Sequence, residues 1–224
     1  MTSVLVVHDQ SLQRLGLRML LAAEPDLTVV GETANAFEAA RMTTELRPDV
    51  VVMGSRASDP DGVEAIRRIT RPAGPGDHRP RLLVLTPTGD ESYASAALRA
   101  GAGGFLLQDA TPEELSAAVR VVAAGDAVIT PGLTRALIDT VREQKPLRRI
   151  TQEIGLETLT HRERDILTAV ASGWSNAEIG QRLSIAPTTV KSHVSHILAK
   201  IGARARVQAV VFAYESGLVQ PAAA

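Results

Sequence analysis

Two sets of residues in this chain are of types that do chemistry. The first is Thr188, Thr189, Lys191, Ser192, Ser195, His196 and Lys200, which fall on one face of a single helical period. Their hydroxyls, ammonium groups and imidazole are the donors, acceptors and charges that read base edges and neutralise phosphates. The second set is His8 with Asp9, Gly54 with Ser55, Thr86 and Gln108, each directly after a short apolar run. In an open parallel sheet ligands sit at the carboxyl ends of the strands, which is where those runs would place them. This second set holds an imidazole, hydroxyls, a neutral amide and one carboxylate, a poor offer to Mg²⁺, which takes octahedral oxygen ligands. The chain has no cysteine, which excludes a disulfide framework, a thiol nucleophile, Cys-ligated zinc and an iron–sulfur cluster. No metal, cofactor or enzymatic activity is expected from these residues.

The elements that must position both sets are legible in the pattern. Apolar runs at residues 4–7, 27–30, 50–53, 82–85 and 105–107 read as strands buried on both faces. Between them lie helical stripes: Leu12, Leu15, Met19 and Leu20; Ala36, Ala39, Ala40, Thr43 and Leu46; Ile66 and Ile69; Ala94, Ala97, Leu98 and Gly101; Leu115, Ala118, Val119 and Val122. Strand and helix alternating five times imply a doubly wound α/β domain with a five-stranded parallel sheet, placed at residues 1–126. Residues 127–158 are expected to be a linker, broken by Pro146 and Gly155 and holding a helix at about 131–145. Residues 159–224 read as an all-α domain of four short helices.

With 224 residues the chain has room for two small domains, and no apolar run approaches the length of a membrane span, so a cytoplasmic protein is expected. Its net charge of −1 hides an asymmetry. Residues 1–146 carry 15 cationic and 19 acidic side chains, whereas residues 147–224 carry 9 and 6. A near-neutral total thus divides into an acidic α/β half and a basic helical half.

In the helical half, Thr160 with Glu163 and Ser175 with Glu178 fit the S/T-x-x-E capping box. The first helix should bury Ile166, Leu167, Val170 and Ala171, the second end near Leu183, and the third, opened by Pro187, bury Val190, Val194, Ile197, Leu198 and Ile201. A second helix presenting polar groups after a tight turn is the geometry that enters a major groove, although a small bundle with an ordinary solvated face carries such residues too. The segment LTHRERDILTAVASGWSNAEIGQRLSIAPTTVKSHVSHILAKIGARARVQAVVFAYESGLV resembles the LuxR-type helix-turn-helix of transcription regulators over about 60 residues without a gap. The resemblance implies that Lys191, Ser192 and Ser195 face base edges. It implies phosphate contacts from Thr189, His196, Lys200, Asn176 and Arg204, and a dimer contact from the last helix, about 205–216. Ala205 departs from the family at a position that is usually polar, which weakens a helix start by about 1 kcal/mol.

The α/β half resembles a response-regulator receiver of the NarL/FixJ type through the segments EPDLTVVGE, LRPDVVVM, GVEAIRRI, LLVLT, ALRAGAGGFLL and PEELSAAVRVVAAG. Such a receiver uses an acidic pair for Mg²⁺, a phosphoacceptor Asp, and a Thr and a Lys that bind the phosphoryl oxygens. The positions that match this set are His8 and Asp9, Gly54, Thr86 and Gln108, with Phe105 at the aromatic switch position. One metal ligand, the nucleophile and the cation are all replaced. The resemblance with these departures implies an atypical response regulator, phosphorylation-independent, that binds DNA as a homodimer. Alternatives stay open: a ligand-gated regulator, since Gly54 leaves the pocket open to a small-molecule effector; a conventional regulator with a displaced phosphosite near Ser55, Asp59 and Asp61; and an interaction protein without DNA binding. Either terminal receiver helix could carry the dimer face, because each has an apolar stripe and one stripe must face the sheet.

Overall fold

The five apolar runs form parallel strands β1 (Thr2–Val7), β2 (Leu27–Thr33), β3 (Val50–Gly54), β4 (Arg81–Thr86) and β5 (Gly104–Leu107) in the order β2-β1-β3-β4-β5. The structure is a computed structural model. It describes residues 1–54, 60–70, 78, 80–87, 91–128, 156–203 and 205–219. The helix expected at about 131–145, most of the expected linker, Ser55, Asp59 and Arg204 lie outside the described residues. The chain divides into two compact units, Met1–Thr134 and Arg135–Ala224.

In the first unit the strands are nearly continuous in Val, Leu and Met because both faces are covered. Helices α1 (Ser11–Ala22), α2 (Ala36–Leu46), α3 (Pro60–Thr70), α4 (Glu91–Ala100) and α5 (Pro112–Ala124) connect them. Val4, Val6, Val50, Val52, Leu83 and Leu85 pack with Leu21 of α1 and Leu115, Val119 and Val122 of α5. The alternate residues Leu5, Val51, Leu82 and Val84 are fully buried on the opposite face. The order reverses direction between β1 and β3, the point at which such sheets bind ligands.

Two terminal helices of this unit use their apolar residues in opposite ways. The stripe of α5 is buried as expected. The stripe expected on α1 faces solvent: Leu12 is 78% exposed and Met19 64%, with Leu15 and Leu20 also exposed. Leu21 and the half-buried Leu17 turn toward the sheet instead. The helix has apolar residues on two faces, and its period alone does not say which face meets the sheet. Arg120 of α5 bonds Glu24 at 2.6 Å and Asp26 at 2.7 and 2.8 Å, fastening α5 to the turn that leads into β2. Its guanidinium holds the Asp26 carboxyl down at about 2.

The second unit contains α6 (His161–Ala171), α7 (Asn176–Leu183), α8 (Pro187–Lys200) and α9 (Arg206–Glu215). Both expected capping boxes form: Thr160 with Glu163 opens α6, and Ser175 with Glu178 opens α7. Each satisfies two orphan N–H groups at a helix start. Ile166, Leu167, Val170, Ile179, Val190, Val194, Ile197, Leu198, Ala209 and Ala213 make one core, with Ile201 half-buried at its edge. At the start of α9 the side chain of Ala205 makes no cap, but the Gln208 carbonyl oxygen accepts from the Ala205 N–H at 3.3 Å. Half of the missing box is thereby replaced.

Candidate functional site: a strand-end pocket and a reading helix

The register of the sheet builds the first site. Val7 pairs beside Met53, so the next residues, His8 and Gly54, stand side by side at the strand ends. His8 is 4% exposed. Its N–H donates to the Thr33 carbonyl at 3.0 Å, and its carbonyl accepts from Arg14 Nη1 at 2.8 Å. Its Nδ1 accepts from the Gln10 N–H at 3.1 Å. Asp9 Oδ1 lies 3.3 Å from the same Nδ1. The ring covers Gly54: a Cβ there would overlap His8 Cδ2 and stand 2.5 Å from Nε2. Gly54 was expected to leave the pocket open; the space a Cβ would take there is instead held by the neighbouring His8 ring.

Thr86 is buried at the end of β4, and its carbonyl accepts from the Gln108 N–H at 2.9 Å. The Gln108 side-chain amide turns back to the Leu85 carbonyl at 3.5 Å, and Phe105 is fully buried. The strand ends thus bring His8, Asp9 and Gly54 together, and join Thr86 to Gln108. This donor set does not fit Mg²⁺. Its one carboxylate, Asp9, lies against an imidazole, and no carboxylate stands at residue 54. Among the described residues no group of three His, Asp or Glu side chains is arranged to hold a metal ion.

The second site is built on α8. Val190, Val194, Ile197 and Leu198 are buried, which turns Thr188, Thr189, Lys191, Ser192, Ser195 and His196 out to solvent. Ser192 Oγ donates back to the Thr188 carbonyl at 3.1 Å. The turn before α8 is tight because Ser184 takes the left-handed conformation, at φ 53°, and the Ile185 N–H donates to the Gly180 carbonyl at 3.0 Å. A Cβ at Gly180 would stand 2.7 Å from the Ile185 carbonyl oxygen, so only glycine lets the two backbones approach this closely. Arg162 Nη2 donates to the Leu183 carbonyl at 3.0 Å and holds the turn against α6.

Two residues expected to contact phosphate have protein partners, one buried and one still exposed. Asn176 is buried, and its Oδ1 accepts from Arg206 at 2.8 Å, so its side chain is withdrawn from the surface. Lys200 Nζ lies 2.6 Å from Glu163 Oε2, tying the end of α8 to the start of α6. Burial raises the Glu163 carboxyl, but hydrogen bonds from Lys200 and from the Thr160 N–H and hydroxyl outweigh it and hold it at about 2. The sequence reading missed Arg206, a buried guanidinium that bonds Asn176 and the Trp174 carbonyl. Arg182 stacks over the Trp174 ring, 3.7 Å from its centroid. An arginine between apolar neighbours was the signal for Arg206, but its partner lies 30 residues away.

Residues 4–120 match the response regulator receiver domain, and residues 157–213 match the bacterial regulatory proteins of the luxR family. The nitrate/nitrite response regulator protein NarL of Escherichia coli is 34% identical over 213 residues, 95% of each chain. The transcriptional regulatory protein LiaR of Bacillus subtilis is 33% identical over 219 residues, 98% of this chain and all of the relative.

The chain belongs to the NarL-type response regulators.

It is a DNA-binding transcription regulator with a receiver domain and a LuxR-type helix-turn-helix, and its relatives are regulators rather than enzymes. The crystal structure of a LuxR-family two-component response regulator from Aurantimonas is 32% identical and covers 63% of this chain and 99% of its own, with a TM-score of 0.55. The RcsB–DNA complex shares the fold at 19% identity and a TM-score of 0.51, covering 96% of this chain and 98% of its own. Within this response regulator, the pocket above is the receiver's strand-end site and α8 is the second helix of the helix-turn-helix. Among the described residues no helix is long and apolar enough to cross a membrane.

Proposed function

We propose that this response regulator controls transcription without phosphorylation of its receiver. It works in the cytoplasm and binds DNA as a homodimer through Lys191, Ser192 and Ser195 on base edges and Thr189 and His196 on phosphates. The observation that carries the phosphorylation-independent reading is at Gly54: the acceptor position has no side chain, and the His8 ring lies in the space one would take. A neutral Gln108 at the cation position and a single carboxylate at Asp9 support the same reading. The His8 ring over Gly54 also speaks against a small-molecule effector seated directly on that residue. The solvent-facing stripe of Leu12, Leu15, Met19 and Leu20 on α1 supports a homodimer, because an apolar strip of this kind is stabilised by a partner that covers it. A second recognition helix then falls on a half-site about one helical turn away.

Incubation of the full chain with a small phosphodonor and Mg²⁺, followed by intact mass and DNA-binding measurements, tests the proposal. No added phosphoryl group and an unchanged affinity are expected. An added group that disappears when Asp9 or Ser55 is replaced overturns it in favour of a displaced phosphosite.

A further inference from the structure

We infer that His8 is the residue that decides what the receiver pocket admits: its imidazole replaces the acceptor side chain in space, and Gly54 is glycine because His8 is there. The inference rests on the phosphorylation-independent reading and gives it a cause. Gly54 does not adopt the left-handed backbone that favours glycine, so its own conformation is open to any residue. The restriction comes from the neighbour. A Cβ at residue 54 would overlap His8 Cδ2, and the ring cannot easily move aside. Its strand position is fixed by the bond to the Thr33 carbonyl, its Nδ1 by the Gln10 N–H, and it is buried. The two positions therefore form one steric unit, and restoring a carboxylate at residue 54 alone does not restore an acceptor site.

The test is a cycle of variants in the full chain, read by scanning calorimetry. Gly54→Ala with His8 present is expected to lower the melting temperature of the receiver transition by about 5 °C, and by less than about 2 °C when His8→Ala accompanies it. Additive losses overturn the inference. If Gly54→Ala alone does not fold, recovery of a folded receiver in the double variant supports it, and failure to recover overturns it. A second arm places Gln108→Lys in every chain and supplies a small phosphodonor with Mg²⁺. The P–O bond to the donor breaks as one to the introduced carboxylate forms, and intact mass reads the product. Uptake is expected when His8→Ala accompanies Gly54→Asp and not when His8 is retained, each chain keeping Asp9 as its other carboxylate. Equal behaviour of the two chains, whether both take up the group or neither does, overturns the role of His8. Uptake by the unaltered protein would instead sink the phosphorylation-independent reading, while the calorimetric cycle still judges His8.

Discussion

In the receiver His8 is buried at its strand end, where it bonds Gln10 and covers Gly54, while Asp9 and Gln108 stay exposed, Gln108 reaching back to the Leu85 carbonyl. In the helical unit the comparable residues of α8 stand out in solvent, while the charges around them are tied down, Lys200 to Glu163 and Arg206 to Asn176. A buried imidazole already bonded within the protein has little left for a ligand, whereas a helix face backed by four buried aliphatic side chains presents its polar groups at small entropic cost. Buried cross-ties in the second unit serve the exposed face by fixing the helix that carries it.

The largest effect is expected at Asn176. If it supports Arg206, Asn176→Leu leaves a buried guanidinium short of an acceptor and costs about 3 kcal/mol of stability in urea denaturation of the helical unit. A stable variant that only binds DNA less well would return Asn176 to the DNA surface. Next is Lys191→Ala, expected to weaken specific DNA binding by about 2 kcal/mol while stability changes by less than about 0.5 kcal/mol. Unchanged binding in a footprinting titration would remove Lys191 from the base-reading set. Leu12→Glu on the exposed α1 stripe should raise the dimer dissociation constant about tenfold, or about 1.4 kcal/mol, in sedimentation measurements. A monomeric parent protein, or a variant that dimerises as before, denies α1 that role.

The smallest effect is confined to acid. Glu163 sits at about 2 in the folded unit against an ordinary value of 4.5, so the unfolded chain binds its proton first. Its contribution is complete above about pH 4.5 and fades as the pH falls toward 2. Glu163→Gln should flatten the stability profile of the helical unit over that window. A profile as steep as that of the parent assigns the acid sensitivity to other carboxylates.

Much of this was legible in the chain. The five strands, the capping boxes at Thr160 and Ser175, and the inner residues of α6 and α8 follow from period and from local chemistry. Both span only a few residues, so the sequence carries them directly. The outward turn of the α1 stripe was not legible, because Leu12 and Leu21 belong to the same short helix and only the sheet selects between its faces. Nor were the ties of Lys200 to Glu163, 37 residues away, or of Arg206 to Asn176, 30 away. Side-chain partners that distant leave no periodic trace.

By itself the sequence determined the two element patterns, the polar face of α8, and the residues that follow the strands, among them His8, Gly54 and Gln108. Each of these is a matter of which residue occupies which position. The tertiary structure alone decided that a Cβ at residue 54 would meet the His8 ring. His8 and Gly54 are 46 residues apart in the chain, and only the parallel pairing of β1 with β3 lays an imidazole across a glycine.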